Sequence, residues 1–266
     1  MKAIRKLFLL TSLLLVVGLA CSLGAGGSTP APSQPQQESP TQAPAPTQPA
    51  PEPTNPPQPT DPPAPTAEPA PTTAPVVVSK FFREEFDPGV DLSNWEYFTL
   101  GSGSDTDLKI EQEDDHLMFD LGDEDLYVYY MYTYETYDDV TLTLNAENRG
   151  RNNNNVSLVC RMNEEGTQWY EFSVESGGLW YLYGVDDSYN IIDNGGTNAL
   201  KQGKEVNEYK MICDGDQISL FVNGTRIKVV TDTKYGFNEG YAGFNISSLN
   251  VLPITVEVNW FEVSEP

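Results

Sequence analysis

From Lys80 onward, apolar and polar residues alternate in short runs separated by Gly, Asn and Asp. In one of these runs Val156, Leu158 and Cys160 alternate with more polar neighbours. Successive side chains of a strand point to opposite faces, so a period of two is typical of a strand with one buried face. No helical period extends beyond about ten residues. The pattern predicts an all-β domain over residues 80–266.

Turn residues mark the ends of the predicted strands. The pair Asn223-Gly224 separates two alternating runs, which is the strongest short-range signal for a β-hairpin. Many short strands with such turns are typical of a two-sheet antiparallel β-sandwich or jelly roll. The clearest predicted strands are 116–121, 156–162, 169–175, 179–185, 209–213, 217–222, 226–230 and 254–263.

The charge balance limits the classes of partner. The chain has 39 acidic and 15 basic residues, which gives a formal charge of −24. Phosphate binding requires clusters of Lys and Arg. The composition therefore argues against nucleic acid and against an anionic membrane surface as direct partners.

The N-terminus has the features of a secretory signal. Basic residues at positions 2, 5 and 6 precede an apolar run from Leu7 to Ala20. As a helix, this run would be ~21 Å long, which is too short for a hydrocarbon core of about 30 Å. The stretch from Val17 to Cys21 resembles the bacterial lipobox, in which the cysteine after the cleavage site receives a diacylglycerol. The resemblance implies a signal peptide at 1–20, a lipidated Cys21 and a lipid anchor at the extracellular face of the cell membrane; an ordinary cleaved signal is the alternative.

A second segment, residues 21–79, differs in composition from the rest. All but three of the 21 prolines lie between Pro30 and Pro75, among Thr, Ala and Gln. Such a segment has too little apolar surface to offset its conformational entropy, and frequent proline favours extended polyproline II. We predict a disordered Pro/Thr-rich linker that acts as a stalk.

Three motifs of the β domain resemble concanavalin A-like jelly rolls, a superfamily that includes laminin-G-like modules. The first, Phe86-Asp87 followed by Trp95, resembles the opening strand of these folds. The other two are the hairpin from Asp214 to Gly224 and the segment from Gly240 to Phe244. The resemblance covers residues 81–264 and implies a concanavalin A-like jelly roll. It is specific for a fold that carries many activities.

Two further segments, from Asn155 to Arg161 and from Trp169 to Val174, are similar to the 3-keto-disaccharide hydrolase-like branch of this superfamily. That branch places an Arg and a Glu on neighbouring strands of the concave sheet, which corresponds to Arg161 and Glu171 here. Alternation puts both side chains opposite the apolar set of their strands, so they could meet across one face. Trp169 lies on the face of Glu171. We predict a glycan platform made of these three side chains; the alternative is an ion pair beside a half-buried tryptophan.

Other aromatic residues are abundant. Tyrosines crowd the segment 127–137, and we assign Tyr129 to the predicted glycan groove, although ordinary packing explains such a row equally well. Trp95, Trp180 and Trp260 are expected in the core.

Catalytic and metal-binding signals are weak. The E-x-D-x-x-E string of laminarinase-type members is missing from the sequence, and His116 is its single histidine. No catalytic residue is assigned. Carboxylate clusters leave calcium possible as a ligand, with no ligating residues named.

Two cysteines fall at apolar positions of predicted strands, Cys160 and Cys213. An exported protein meets an oxidising compartment, so we predict a disulfide between them; two separate buried thiols are the alternative.

These observations favour a cell-surface lipoprotein that displays a non-catalytic, carbohydrate-binding jelly roll, with a polysaccharide or oligosaccharide as partner and membrane contact through the lipid anchor only. One alternative is a glycoside hydrolase of the 3-keto-disaccharide hydrolase-like type. Another is an adhesion or sensor module that binds a protein partner.

Overall fold

The computed structural model describes residues 79–266, which form 15 β-strands and no helix. Within this range, therefore, no helix of sufficient length and apolar character to cross a membrane is found. The predicted signal peptide, Cys21 and the linker up to residue 78 lie outside the described residues.

The strands, numbered in chain order, pair antiparallel in two sheets. The eight-stranded sheet has the order β13 (Thr225–Thr231), β12 (Gln217–Val222), β11 (Val206–Asp214), β6 (Val140–Asn148), β15 (Ile254–Ser264), β4 (His116–Leu121) and β3 (Lys109–Glu113), with β1 (Phe82–Glu84) also paired to β15. The seven-stranded sheet has the order β10 (Tyr189–Gly196), β9 (Leu179–Asp186), β8 (Gln168–Glu175), β7 (Asn154–Met162), β14 (Gly240–Ser248), β5 (Leu126–Tyr137) and β2 (Trp95–Gly101). The predicted two-sheet sandwich is confirmed.

The main core lies between the facing sides of the two sheets. Its central side chains, such as Leu144, Leu158 and Phe244, are fully buried. Trp95 and Trp180 belong to this core, as expected. The expectation for Trp260 is wrong, because the register of β15 shifts between Val258 and Trp260. Trp260 is only half-buried, and the guanidinium of Arg83 lies 3.7 Å from its ring centroid.

A disulfide joins Cys160 of β7 to Cys213 of β11. Because β7 and β11 belong to different sheets, the bridge crosses the core, where both cysteines are fully buried. The predicted bridge is confirmed.

The predicted Asn-Gly hairpin is also confirmed. Asn223 and Gly224 connect β12 to β13 with φ values of 49° and 72°. Positive φ at both central residues is what a tight type I′ turn requires, and Asn and Gly tolerate it best.

The opening motif differs from the expected strand. β1 ends at Glu84, and Phe86 adopts a φ of 56° outside any strand. Its fully buried ring packs 5.8 Å from that of Trp95, so Phe86 closes the end of the core.

A β-bulge interrupts β7 near its end. The pairing of β14 with β7 shifts between Tyr241 and Gly243, and Arg161 has a φ of 57°. An extra residue in one strand reverses the alternation beyond it. Met162 consequently joins the outer cluster of the seven-stranded sheet, whereas Cys160 stays in the core.

Candidate functional site

The outer face of the seven-stranded sheet carries a second aromatic and apolar cluster, separate from the core. Tyr129 of β5 and Tyr189 of β10 meet there through their hydroxyl groups. These strands are five places apart, which corresponds to about 24 Å in a flat sheet. The sheet must therefore curve strongly toward this side, which we call the concave face.

A cleft of about 240 Å3 opens on the concave face. Four tyrosines from three strands form its walls, and shorter polar side chains form its floor. The lining residues are Tyr127, Tyr129, Tyr183, Tyr189, Asn155, Glu171, Ser173 and Ser247. Polar groups enclosed by aromatic walls are typical of a site that orients a small ligand.

Glu171 is the buried carboxyl group of the cleft, 4% exposed. Its Oε2 accepts a hydrogen bond of 2.7 Å from the Tyr129 hydroxyl and one of 3.1 Å from Trp169 Nε1. Burial raises the pKa of Glu171, and the hydrogen bonds from Tyr129 and Trp169 offset part of this rise. The carboxyl group therefore retains its proton to a higher pH than an exposed glutamate.

Tyr189 covers one side of the cleft. It is 39% exposed, and its ring contacts those of Tyr183 and Trp169 edge-on, at 5.6 and 6.1 Å between centroids. Burial raises the pKa of Tyr127 and of Tyr183 to about 12. The walls of the cleft consequently stay uncharged at physiological pH.

Three polar atoms of the concave face have no hydrogen-bond partner among the described residues. They are Asn155 Oδ1, Ser157 Oγ and Asn245 Nδ2. Asn245 is fully buried and lies opposite Tyr129 in the pairing of β14 with β5. All three atoms are enclosed by protein, and of the three residues Asn155 alone lines the cleft.

The predicted role of Trp169 as an exposed stacking surface is wrong. Its ring is 2% exposed, because Tyr129 and Tyr189 pack against it. Trp169 instead holds Glu171 in place through its indole N–H. Glu171 and Tyr129, by contrast, both line the cleft.

The predicted meeting of Arg161 with Glu171 is also wrong. The bulge turns Arg161 away, and its guanidinium donates to Asp138 O, Gly215 O and Phe237 O at 2.7, 2.8 and 3.0 Å. It also forms a 3.1 Å ion pair with Asp139. Arg161 is 3% exposed and joins three loops instead of lining the cleft.

Three tyrosines of the cleft were not assigned to the site by sequence analysis: Tyr127, Tyr183 and Tyr189. Tyr189 follows the turn Asp186–Ser188 and pairs with Val185. A tyrosine just after a hairpin turn, in register with an apolar residue, is a signal that could have placed it on the same face as Trp169.

Within residues 79–266, no group of three or more His, Cys, Asp or Glu side chains is arranged to hold a metal ion. The carboxylates of Asp123 and Asp125 instead accept hydrogen bonds from Ser104 and Ser102. No ligands for calcium can therefore be named.

Two antiparallel sheets, one of them curved around a tyrosine-walled cleft, define a concanavalin A-like jelly roll. The chain belongs to the 3-keto-alpha-glucoside-1,2-lyase-like domain family, whose family model matches residues 82–256. This agrees with the branch that the sequence motifs resemble.

Solved structures share the fold at low identity. A Bacillus subtilis protein of unknown function with a galectin-like fold is 15% identical, with a TM-score of 0.56 over 69% of this chain and 94% of that chain. A β-glucanase from Bacillus licheniformis is 12% identical, with a TM-score of 0.52 over 71% and 100%. The catalytic domain of an endo-1,3-beta-glucanase (laminarinase) from Thermotoga petrophila RKU-1 is 11% identical, with a TM-score of 0.52 over 71% and 99%. No curated protein matches the chain in sequence.

Proposed function

We propose that this protein binds carbohydrate in the cleft of its concave face and is held at the outside of the cell membrane by a lipid on Cys21 and the linker 21–79. The observation that carries the binding proposal is the cleft itself, in which Asn155, Glu171, Ser173 and Ser247 form a polar floor between tyrosine walls.

The chemistry of a sugar ring suits this arrangement. A pyranose presents C–H groups on its faces, which pack on aromatic rings, and hydroxyl groups at its edges, which both donate and accept hydrogen bonds. Asn155, Ser173 and Ser247 line the cleft and offer amide and hydroxyl groups of both kinds. Glu171 adds a carboxyl group whose raised pKa favours the neutral form.

The ionisable groups of the cleft favour uncharged sugars over anionic ones. Of the described residues, those that line the cleft include no lysine or arginine. A uronate or a sulfated sugar would find no cation there and would meet a strongly acidic protein. The proposed ligand is an uncharged glycan.

The exposed wall of the cleft provides the test. Tyr189→Ala removes one aromatic wall, and we expect the affinity for a glycan identified on an array with the full chain to fall about tenfold, the loss of one well-packed aromatic contact. Titration calorimetry with that glycan measures the change. Tyr134→Ala is the matched control, since Tyr134 is 53% exposed and lies outside the cleft.

Equal affinities of both variants and the wild type would show that the glycan binds outside the cleft. Failure of the full chain to bind any neutral glycan would reject the binding proposal.

Glycoside cleavage in the same cleft is a second candidate, favoured by the buried Glu171. Two-carboxylate hydrolysis needs carboxylates roughly 5–10 Å apart, and Glu171 is the single carboxylate among the described lining residues.

The 1,2-elimination named by the family needs only one base, because a ketone at C3 acidifies the hydrogen at C2. In that step ionised Glu171 takes the C2 proton, the C1–O bond breaks as a C1=C2 double bond forms, and the leaving oxygen takes a proton from the Tyr189 hydroxyl or water.

A chromogenic substrate separates the two candidates. We expect a lyase to release nitrophenol from 4-nitrophenyl 3-keto-α-glucoside, and Glu171→Gln to slow release by about 100-fold, since a general base contributes at least that much. Absorbance at alkaline quench gives the rate. Release at the same rate by both proteins would reject Glu171 as the base, and no release by either would reject cleavage. Both outcomes leave glycan binding untouched.

A further inference from the structure

A second opening on the concave face shares no lining residue with the cleft. This groove, of about 490 Å3, lies beyond the ring of Tyr129. Phe98 of β2 lines the groove and stacks on Tyr129 with 4.9 Å between centroids and 4° between planes. The stacked pair therefore separates the groove from the cleft.

The inner part of the groove is apolar. Met131, Met162 and Tyr241 come from β5, β7 and β14, and Phe98 and Leu100 come from β2. Thioether side chains are flexible and polarizable, and they are frequent where one surface accepts differently shaped side chains.

The rim of the groove is acidic. Glu96 lies on one side, and Glu164 and Glu165 lie in the turn on the other side. None of the three forms an ion pair with any other residue between 79 and 266, and the described residues of the groove include no lysine or arginine. Glu165 accepts a 3.1 Å hydrogen bond from Asn163 Nδ2, which leaves its charge uncompensated. Three carboxylates without a cationic partner around an apolar floor are complementary to a ligand that is both basic and apolar.

The strand beside the groove has a free edge. β2 ends the seven-stranded sheet, so Trp95–Gly101 pair on one side only, with β5. Tyr97 of this strand is 56% exposed. An extended segment added along β2 would lie about 4.8 Å away and would direct alternate side chains toward the concave face, past Phe98 and Leu100.

We propose that β2 and the groove dock an extended segment of a partner protein that contains lysine or arginine together with apolar residues. Main-chain hydrogen bonds to the edge of β2 hold the segment, its apolar side chains enter the groove, and its basic side chains pair with the acidic rim. This docking is independent of the glycan proposed for the cleft.

A labelled peptide tests the proposal on the full chain. The probe is an octapeptide in which pairs of lysines and pairs of leucines follow one another, so that each face of the extended peptide carries both. Fluorescence anisotropy measures its dissociation constant. We expect the variant Glu96→Gln/Glu164→Gln/Glu165→Gln to bind about tenfold more weakly, since each exposed ion pair contributes modestly.

A matched variant controls for the overall negative charge. Glu111, Glu113 and Glu124 are exposed and lie outside the groove, so their joint replacement by Gln removes the same charge elsewhere. We expect this variant to bind within about twofold of the wild type. Peptides with glutamate in place of lysine, or serine in place of leucine, should bind at least about tenfold more weakly.

Equal weakening by the two triple variants would show non-specific attraction and overturn the proposal. So would tight binding of the glutamate peptide, or no saturable binding of the basic peptide at about millimolar concentration. Because none of the substituted residues lines the cleft, glycan binding should remain unchanged in both variants.

Discussion

Replacing Arg161 by methionine is expected to lower the free energy of unfolding by about 3 kcal/mol, because it removes a buried guanidinium whose hydrogen bonds join three loops. The substitution leaves Asp138 O, Gly215 O and Phe237 O without their donor. A hydrogen bond to a charged group contributes about 1.5–3 kcal/mol, and water can replace the donor at the exposed residues Asp138 and Gly215. Urea denaturation followed by tryptophan fluorescence measures the change.

Arg149 provides the matched control. Its guanidinium forms ion pairs of 2.7 and 3.0 Å with Glu147 and Glu257, but its side chain is 48% exposed. Exposed pairs contribute little, so Arg149→Met should cost less than about 1 kcal/mol. Comparable losses for the two variants would contradict the assignment of Arg161 as the link between three loops.

The second large effect is a pH-dependent gain in stability for Glu171→Gln. The pKa of Glu171 is raised in the folded protein. Its contribution to stability is therefore present below the ordinary pKa of a glutamate, and it is lost as the pH rises from that pKa to the pKa of the folded state. The amide oxygen of glutamine still accepts from Tyr129 and Trp169 and carries no charge. The stability difference in favour of the variant should grow by about 1.4 kcal/mol per pH unit across this window.

Thermal and urea unfolding at several pH values from 4 to 8 follow this difference. The facing tyrosines stay neutral throughout, since the pKa of Tyr127 and of Tyr183 is about 12 and that of Tyr129 and of Tyr189 is also raised. Glu124→Gln at the surface should show no such trend. A constant difference between Glu171→Gln and the wild type would mean that the carboxyl group ionises as an exposed one does.

Period-two alternation was sufficient to predict most of the fold. Strands such as 217–222 were predicted with the bounds that the structure has, because every second residue from Ile218 to Val222 is apolar and buried. Alternation assigns side chains to faces by counting residues along the strand, however. The sequence does not show where a bulge inserts an extra residue. The bulge at Arg161 therefore reversed one predicted side-chain direction, and the shift before Trp260 reversed another.

The candidate site was predicted only in part, for a related reason. Glu171 and Tyr129 reach the cleft because alternation holds through β8 and the middle of β5. The burial of Trp169 and the position of Tyr189 depend on curvature, which brings together side chains from strands that are not neighbours. Curvature arises from the whole sheet and cannot be read from one strand.

The cross-core disulfide has a consequence for the order of events during production of the protein. Cys160 and Cys213 are 53 residues apart, and both are completely enclosed once the sheets have packed. Neither glutathione nor an oxidoreductase can reach a sulfur that has no surface, so the bond must form while the sheets are still coming together. A chain that completes its folding in a reducing cytoplasm would bury two reduced thiols. Later exposure to an oxidant would not form the disulfide unless the protein first unfolded. Recombinant material should therefore be folded under oxidising conditions from the start.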